Sequence, residues 1–119
     1  MRKLHLMRYR EMLEAQLADL AQHSSATVHG MVDGRSEELP DPNDRASRES
    51  ELEGELRMRD RDRKLSAKIQ QALERIEAGT FGLCASCGQP ISAARLRARP
   101  VTELCIDCKR EAERREQRQ

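Results

Sequence analysis

The chain has 119 residues, of which 37% are hydrophobic and 36% are charged, with one Phe, one Tyr and no Trp. So few apolar residues cannot fill a large globular core, and the composition therefore favours an elongated helical protein of one domain, or of one domain with an appendage. The formal net charge is +1, so bulk charge does not indicate a general affinity for nucleic acid.

The chain carries no stretch that is typical of export or membrane insertion. Residues 1–8 are basic but lack the apolar run of a signal peptide, and no other segment is apolar enough to span a membrane. Four cysteines form two Cys-x-x-Cys pairs, which in a chain without an export signal indicate metal binding rather than disulfides. We therefore expect a cytoplasmic protein.

A first helix is predicted from about Lys3 to about Val32. Apolar residues recur in it with a coiled-coil-like spacing, three of them seven residues apart and two between. These residues are Leu6, Tyr9, Leu13, Leu17 and Leu20. His23 and His29 follow without partners at metal-ligand spacing, so we expect them to be surface histidines.

The chain is expected to reverse direction at residues 41–46, which read Asp-Pro-Asn-Asp-Arg-Ala. Pro42 has no backbone N–H and disfavours a helical Asp41, so an incoming helix should stop here. Asp44 is well suited to be the N-cap of the helix that leaves. The sequence therefore predicts two aspartates at the tip of a helical hairpin.

A second helix is predicted from Asp44 to Ala78, with Gly79 as the C′ residue. The apolar residues of the two helices mirror one another about the tip, as an antiparallel hairpin requires. The predicted pairs are Leu6 with Ile76, Tyr9 with Leu73, Leu13 with Ile69, Leu17 with Leu65, Thr27 or Val28 with Leu56, and Met31 with Leu52. Residues 57–64 are almost all charged, so the middle of the hairpin should be polar.

Four cations follow one face of the second helix at steps of 4, 3 and 4 residues. They are Arg57, Arg61, Lys64 and Lys68. Long helices often carry such charges on a solvated face, and Asp60 and Asp62 lie nearby. Several converging cations can also bind phosphate, and the spacing alone leaves both interpretations open.

The strongest local signal is the pair of motifs Cys84-Ala-Ser-Cys87 and Cys105-Ile-Asp-Cys108. Each Cys-x-x-Cys knuckle points two sulfurs at one centre, and two knuckles complete a tetrahedron suited to Zn²⁺. Four protein ligands leave no open coordination position, so the predicted zinc is structural. A hinge at residues 79–82 precedes this module, and Phe81 is expected to pack where the hairpin meets it.

Two other functions are known for cysteine motifs of this kind. Thioredoxin-like redox chemistry is disfavoured because no βαβ pattern accompanies the motifs. Some DNA-binding fingers place a basic helix in the major groove, and Arg95, Arg97 and Arg99 make that alternative worth testing. Residues 109–119 speak against it because they alternate basic residues with Glu.

Taken together, these segments resemble the DksA/TraR family of C4-type zinc-finger transcription factors over nearly the whole chain. The matching motifs are Asp41-Pro42-x-Asp44-Arg45-Ala46, Glu55-Leu56-Arg57-x-Arg59-Asp60-Arg61-x-Arg63-Lys64-Leu65, Phe81-Gly82-x-Cys84-x-x-Cys87-Gly88, Arg95-Leu96-x-Ala98-Arg99-Pro100 and Leu104-Cys105-Ile106-Asp107-Cys108-Lys109. The resemblance implies a non-enzymatic regulator that inserts its hairpin into the secondary channel of bacterial RNA polymerase. It also implies destabilisation of promoter open complexes and joint action with guanosine tetraphosphate in the stringent response.

The resemblance also assigns roles to individual residues. The polymerase-modulating tip would comprise Asp41, Asp44 and Ala46; the zinc ligands would be Cys84, Cys87, Cys105 and Cys108; and the alarmone, at the polymerase interface, would contact Arg61, Lys68 and Lys109. Longer family members carry a segment that packs near the hairpin base, whereas this chain begins almost at the first helix. Base packing and polymerase affinity are therefore expected to differ.

We therefore predict an all-α protein in two parts: a long antiparallel coiled-coil hairpin over 1–80 with an acidic tip at 41–46, and a zinc-finger module with a short C-terminal helix over 81–119. A monomer is expected, with one structural Zn²⁺, no sequence-specific DNA binding and no membrane contact. The alternatives are a DNA-binding zinc-finger protein and a polymerase transcript-cleavage factor, in which two tip carboxylates would hold a second Mg²⁺.

Overall fold

The computed structural model describes residues 2–33 and 41–118, with side chains for 2–23 and 41–118. Its helices are α1 (Lys3–Asp33), α2 (Pro42–Ala78), α3 (Ala93–Ala98) and α4 (Ile106–Arg118). The described residues contain no strand, and their extended pairing is limited to an isolated bridge between Leu83 and Pro90. The predicted fold class, an all-α hairpin with a four-cysteine module, is confirmed.

By its contacts the chain divides into two units. The first comprises Met1–Glu14 with Lys68–Gln119, and the second comprises Ala15–Ala67. This division cuts across both long helices because contacts rather than sequence order define it. The predicted boundary near residue 80, between hairpin and zinc module, is of a different kind and stays a prediction.

The core of the first unit contains residues from the start of α1 and the end of α2. Leu13 and Ile69, a predicted hairpin pair, are both fully buried. Tyr9 is half-buried, and its ring lies 5.2 Å from that of Phe81 with an interplanar angle of 50°. Phe81 is itself buried, so it packs where the hairpin meets the next module, as predicted. The other buried apolar residues are Ala72, Cys84, Ile91 and Leu96.

A Schellman motif ends α2 and fixes the direction in which the chain leaves it. Gly79 has φ +77°, and its N–H donates to the carbonyl of Ile76 at 3.3 Å. The N–H of Thr80 donates to the carbonyl of Arg75 at 2.9 Å, which completes the motif. Gly79 is therefore the C′ residue, as predicted, because a side chain at this φ would be strained.

The second unit is polar where the charged stretch of α2 lies, as predicted. His23 Nδ1 on α1 is 3.0 Å from Asp62 Oδ2 on α2. Lys64 Nζ is 3.4 Å from Asp60 Oδ2, one turn away along α2. His23 is thus a surface histidine with a partner on the facing helix, whereas the side chain of His29 lies outside the described residues.

Two predicted hairpin pairs in the second unit, those of Leu52 and Leu56, stay predictions. Leu52 and Leu56 are 44% and 48% exposed, although the mirror pairing placed them in the apolar seam. Mirror pairing of residues about the tip takes account only of their level along the hairpin axis. It does not take account of the direction in which a side chain points. Their predicted partners Thr27, Val28 and Met31 lie outside the described side chains.

None of the helices in the described parts of the chain has the length and apolar character to cross a membrane.

The buried seam predicts a large difference between two leucines of α1. Leu13→Ala should lower the free energy of unfolding by about 2–5 kcal/mol, because it leaves a cavity in the core of the first unit. Leu4→Ala is the matched control, since Leu4 is 67% exposed on the same helix, and it should change the free energy by about 0.5 kcal/mol or less. Urea unfolding followed by circular dichroism measures both. Equal losses would contradict the packing described here.

Candidate functional site

The first cysteine knuckle is a tight loop closed by backbone hydrogen bonds. The N–H of Cys84 donates to the carbonyl of Gln89 at 2.8 Å, and the N–H of Gly88 donates to the carbonyl of Cys84 at 2.9 Å. Gly88 has φ +74°, a conformation that favours glycine, so it lets the chain turn back directly after Cys87. The loop therefore directs both sulfurs to one side.

The second knuckle is the N-terminus of α4. Cys105 precedes the helix, Cys108 lies in its first turn, and the N–H of Lys109 donates to the carbonyl of Cys105 at 3.0 Å. The partial positive charge of a helix N-terminus favours thiolates at these positions. The N–H of Ala85 donates to the carbonyl of Glu103 at 2.8 Å, which ties the first knuckle to the segment before the second.

The four sulfurs fit one zinc ion. All four Sγ atoms lie within 4.8 Å of one another, and those of Cys87 and Cys105 are 3.8 Å apart. Tetrahedral zinc with Zn–S bonds of about 2.3 Å separates its sulfurs by about 3.8 Å. Cys84, Cys87, Cys105 and Cys108, the predicted ligands, are therefore brought together as a closed set of four. Such a set supports structural zinc rather than a catalytic centre with an open position.

The sulfurs also shift one another's protonation. Burial raises the pKa of the Cys84 thiol, but backbone N–H groups of both knuckles, that of Cys105 foremost, lower it more, to about 6. The N–H of Gln89 lowers the pKa of Cys87, but the sulfur of Cys84 and desolvation raise it above its ordinary value. The other sulfurs, that of Cys105 foremost, raise the pKa of Cys108 to about 12. The set of four sulfurs thus carries one negative charge readily, whereas ionisation of a further thiol needs a cation to offset the added charge.

These pKa shifts predict that zinc binding releases protons. At pH 7 Cys84 is already ionised, whereas Cys87 and Cys108 hold their protons until the metal displaces them. Calorimetric titration of the metal-free chain with Zn²⁺ in buffers of different ionisation enthalpy should show release of at least the two protons of Cys87 and Cys108. Since protons compete with the metal, zinc affinity should fall as the pH is lowered from 7 to 6. A binding enthalpy that does not depend on the buffer would contradict this.

At the tip, the aspartate that caps α2 is not the one that was predicted. The helix begins at Pro42, and Oδ1 of Asp41 accepts a hydrogen bond from the N–H of Asp44 at 2.9 Å. Asp41 is therefore the N-cap, Pro42 occupies the first helical position, and the prediction that Asp44 is the cap is wrong. Proline is well suited to that first position, where its missing N–H costs nothing. Asp44 and Ala46 lie exposed in the first turns, and in the described structure the Asp44 carboxylate has no hydrogen bond or ion pair.

A cationic cavity in the first unit brings together two of the three residues assigned to the alarmone. Lys68 from α2 and Lys109 from α4 both line a cavity of about 150 Å³. Arg95 and Arg99 line it as well, and the remaining lining residues are Gln71, Val101, Thr102, Glu103 and Leu104. We call this the cationic cavity.

Sequence reasoning missed the arginines of this cavity. The sequence presents Arg95 and Arg99 as candidate DNA contacts. Arg95 lies within the short helix α3 and Arg99 is its C-cap, one turn later, but no spacing rule relates them to Lys68. Nε of Arg95 donates to the carbonyl of Leu104 at 3.0 Å, so this arginine is partly engaged in holding that segment.

Arg61 is not among the residues that line the cationic cavity. It belongs to the second unit and lines a separate surface cavity of about 660 Å³ there. The other residues around that cavity are Glu51, Gly54, Glu55, Arg57 and Met58. Its assignment to the alarmone thus stays a prediction from resemblance.

Comparison with known families accounts for nearly the whole chain. The family model described as DnaK suppressor protein DksA, N-terminal domain, matches residues 5–76, and the prokaryotic dksA/traR C4-type zinc finger matches residues 79–114. This chain belongs to the DksA/TraR family. The relatives named in that family are transcription factors rather than enzymes, in agreement with the predicted non-enzymatic class.

Individual DksA relatives are similar over almost the same range. The RNA polymerase-binding transcription factor DksA of Escherichia coli (strain K12) is 47% identical over 116 residues, which cover 98% of this chain and 76% of that protein. The protein of the same description from Haemophilus influenzae is 43% identical, with coverage of 98% and 79%. The solved structure of transcription factor DksA2 from Pseudomonas aeruginosa matches with a TM-score of 0.86 at 33% identity, covering 98% of this chain and 88% of that one.

Proposed function

We propose that this chain binds bacterial RNA polymerase and regulates transcription initiation. The observation that carries the proposal is the 47% identity, over 98% of the chain, to a protein described as an RNA polymerase-binding transcription factor. The closed four-sulfur centre supports it because a structural zinc would hold a binding module in shape and perform no chemistry. A polymerase partner also places the protein in the cytoplasm.

In this proposal α1 and α2 enter the secondary channel of polymerase and the tip acts near its active centre. The different hydrogen bonding of the two tip aspartates supports this. The carboxylate of Asp41 accepts a hydrogen bond from the first turn of α2, whereas the carboxylate of Asp44 has no such partner in the described structure. The charge of Asp44 is therefore available to act on polymerase.

The same geometry disfavours the transcript-cleavage alternative. A cleavage factor would need two tip carboxylates free to hold a second Mg²⁺. Because an oxygen of Asp41 is engaged by the N–H of Asp44, the tip offers one unengaged carboxylate and part of another.

The DNA-binding alternative is tested by measuring retention on promoter DNA with and without polymerase, where we expect retention only when polymerase is present.

The tip proposal predicts that Asp44→Asn separates binding from regulation. Because Asp44 does not cap α2, the change removes a charge and leaves the cap intact. The variant should compete with the unmodified protein for polymerase about equally well, since the tip is a small part of the surface. It should fail to shorten the lifetime of open complexes at a ribosomal promoter.

Two control variants make that test specific. Asp19→Asn makes the same change at an exposed position of α1 and should retain full activity. Asp41→Asn preserves a capping oxygen and reports whether the charge of the cap matters, because Asn and Asp cap helices about equally well. If Asp44→Asn shortens open-complex lifetime as well as the unmodified protein does, the charge of Asp44 is not the source of regulation.

We further propose that the cationic cavity receives phosphate groups of guanosine tetraphosphate at the interface with polymerase. Lys68, Arg99 and Lys109 supply three positive charges around a space of about 150 Å³. That volume is below the range of about 300–1,000 Å³ of pockets that enclose whole ligands. Phosphates would therefore lie in the cavity, while contacts with the remainder of the nucleotide would depend on polymerase.

The alarmone proposal predicts weaker responses in two lysine variants. Lys68→Ala and Lys109→Ala should each lose about 1.5–3 kcal/mol of interaction with phosphate. The concentration of guanosine tetraphosphate that gives a half-maximal effect on open-complex lifetime should rise accordingly, with polymerase binding largely retained. Lys3→Ala, an exposed lysine of α1 that does not line the cavity, is the matched control. An unchanged response in the double variant would contradict the proposal and would indicate that the lysines are only part of a solvated charged face.

A further inference from the structure

We propose that Arg75 is a positioning residue for the cationic cavity: by hydrogen bonding to Val101 it sets the distance between the α2 wall and the facing wall formed by residues 99–104. This inference rests on the proposed alarmone site, and its experiment distinguishes failure of the site from failure of the positioning role. Arg75 itself does not line the cationic cavity.

Arg75 is hydrogen-bonded to two separate chain segments of the first unit, residues 80–81 and Val101. Its carbonyl accepts hydrogen bonds from the N–H groups of Thr80 at 2.9 Å and Phe81 at 3.2 Å. Its guanidinium Nη2 donates to the carbonyl of Val101 at 3.3 Å in a partly buried setting. One residue thus orients the start of the zinc module through its backbone and the 99–104 segment through its side chain.

The two walls of the cavity come from different parts of the chain. Lys68 and Gln71 belong to α2, and the opposite wall includes Arg99, Val101 and Leu104. Residues 68, 71 and 75 are spaced by three and four, so they share one face of α2. Arg75 therefore lies on the same face of α2 as Lys68 and donates a hydrogen bond to the opposite wall.

The opposite wall has internal hydrogen bonds that fix its own shape. The N–H of Thr102 donates to the carbonyl of Arg99 at 3.1 Å, and Oγ1 of Thr102 donates to the carbonyl of Leu104 at 3.2 Å. Arg95 donates to the same carbonyl at 3.0 Å. These bonds hold the segment to α3 and to itself but do not link it to α2. The bond from Arg75 supplies that link.

The chemistry of guanidinium suits this task. Arginine keeps its charge at all physiological pH values and holds its donors in a rigid plane, so its bond to a carbonyl constrains distance and direction. Affinity for an anion depends on several cations converging on it, and a small separation of the walls weakens that convergence. Arg75 should accordingly change anion affinity without touching the anion.

The test uses the zinc-loaded full chain with RNA polymerase and measures the guanosine tetraphosphate concentration that gives a half-maximal effect on open-complex lifetime. Arg75→Gln should raise that concentration about three- to tenfold, the effect of losing one hydrogen bond. Arg75→Lys keeps the charge and a donor and should fall between Gln and the unmodified chain. Arg10→Gln, on the exposed surface of α1, is the matched control and should not change it. Zinc content is measured for each variant.

A double-mutant cycle separates positioning from general destabilisation. If Arg75 acts by aligning the wall that faces Lys68, then Arg75→Gln should have an effect of less than about twofold once Lys68→Ala has removed the partner charge. If it merely weakens the fold, the effect should multiply unchanged in the Lys68→Ala background. Such multiplication, or a normal response of Arg75→Gln while Lys68→Ala is impaired, would overturn the positioning role. Normal responses of both Lys68→Ala and Lys109→Ala would overturn the alarmone site itself, and the positioning role with it.

Discussion

Four sulfur atoms held within 4.8 Å of one another need a cation between them, and the first unit is organised around that requirement. Residues 79–105 contain few apolar side chains that could fold them independently; Phe81, Ile91 and Leu96 are buried, and the rest of the order comes from backbone hydrogen bonds. A metal would add the free energy that so small a core cannot supply. Without it, the raised pKa values of Cys87 and Cys108 show that the sulfurs resist sharing the space as thiolates.

The metal centre also determines where the cations lie. Lys109 directly follows the ligand Cys108 in the first turn of α4, and Leu104 directly precedes the ligand Cys105. Both line the cationic cavity, so fixing the sulfurs fixes one side of that cavity. The buried seam residue Ile69 adjoins Lys68 in the chain and so anchors the side that α2 supplies. A structural metal and an apolar seam thus place two lysines that neither of them contacts.

Sequence patterns predicted those elements whose signals are local. Cys-x-x-Cys spacing predicted the metal set, Gly79 predicted the end of α2, and the heptad spacing around Leu13 predicted the buried seam. The errors arose where a choice depended on three dimensions. Leu52 and Leu56 are 44% and 48% exposed, although the mirror pairing placed them in the seam. Asp41 and Asp44 are both good N-caps, and local preference could not show that α2 begins at Pro42. The cavity arginines lie far in sequence from Lys68, so no spacing rule could join them.

Four cationic residues in or beside the cationic cavity fall into two groups, arginines that bind the backbone and lysines that do not. Arg75 and Arg95 each donate a hydrogen bond to a backbone carbonyl, at Val101 and Leu104. Lys68 and Lys109 make no hydrogen bond or ion pair within the described structure. This division follows from the side chains, because a planar guanidinium loses little on being fixed against a carbonyl, whereas an ammonium on a flexible stem can reorient toward an incoming anion. Arg75 and Arg95 therefore suit the walls, whereas Lys68 and Lys109 would suit the proposed ligand. A cavity built this way would bind an anion weakly in the absence of a partner, since its lysines would remain hydrated until another surface excluded water from them. That property fits the proposal of an effector site that is completed only on polymerase.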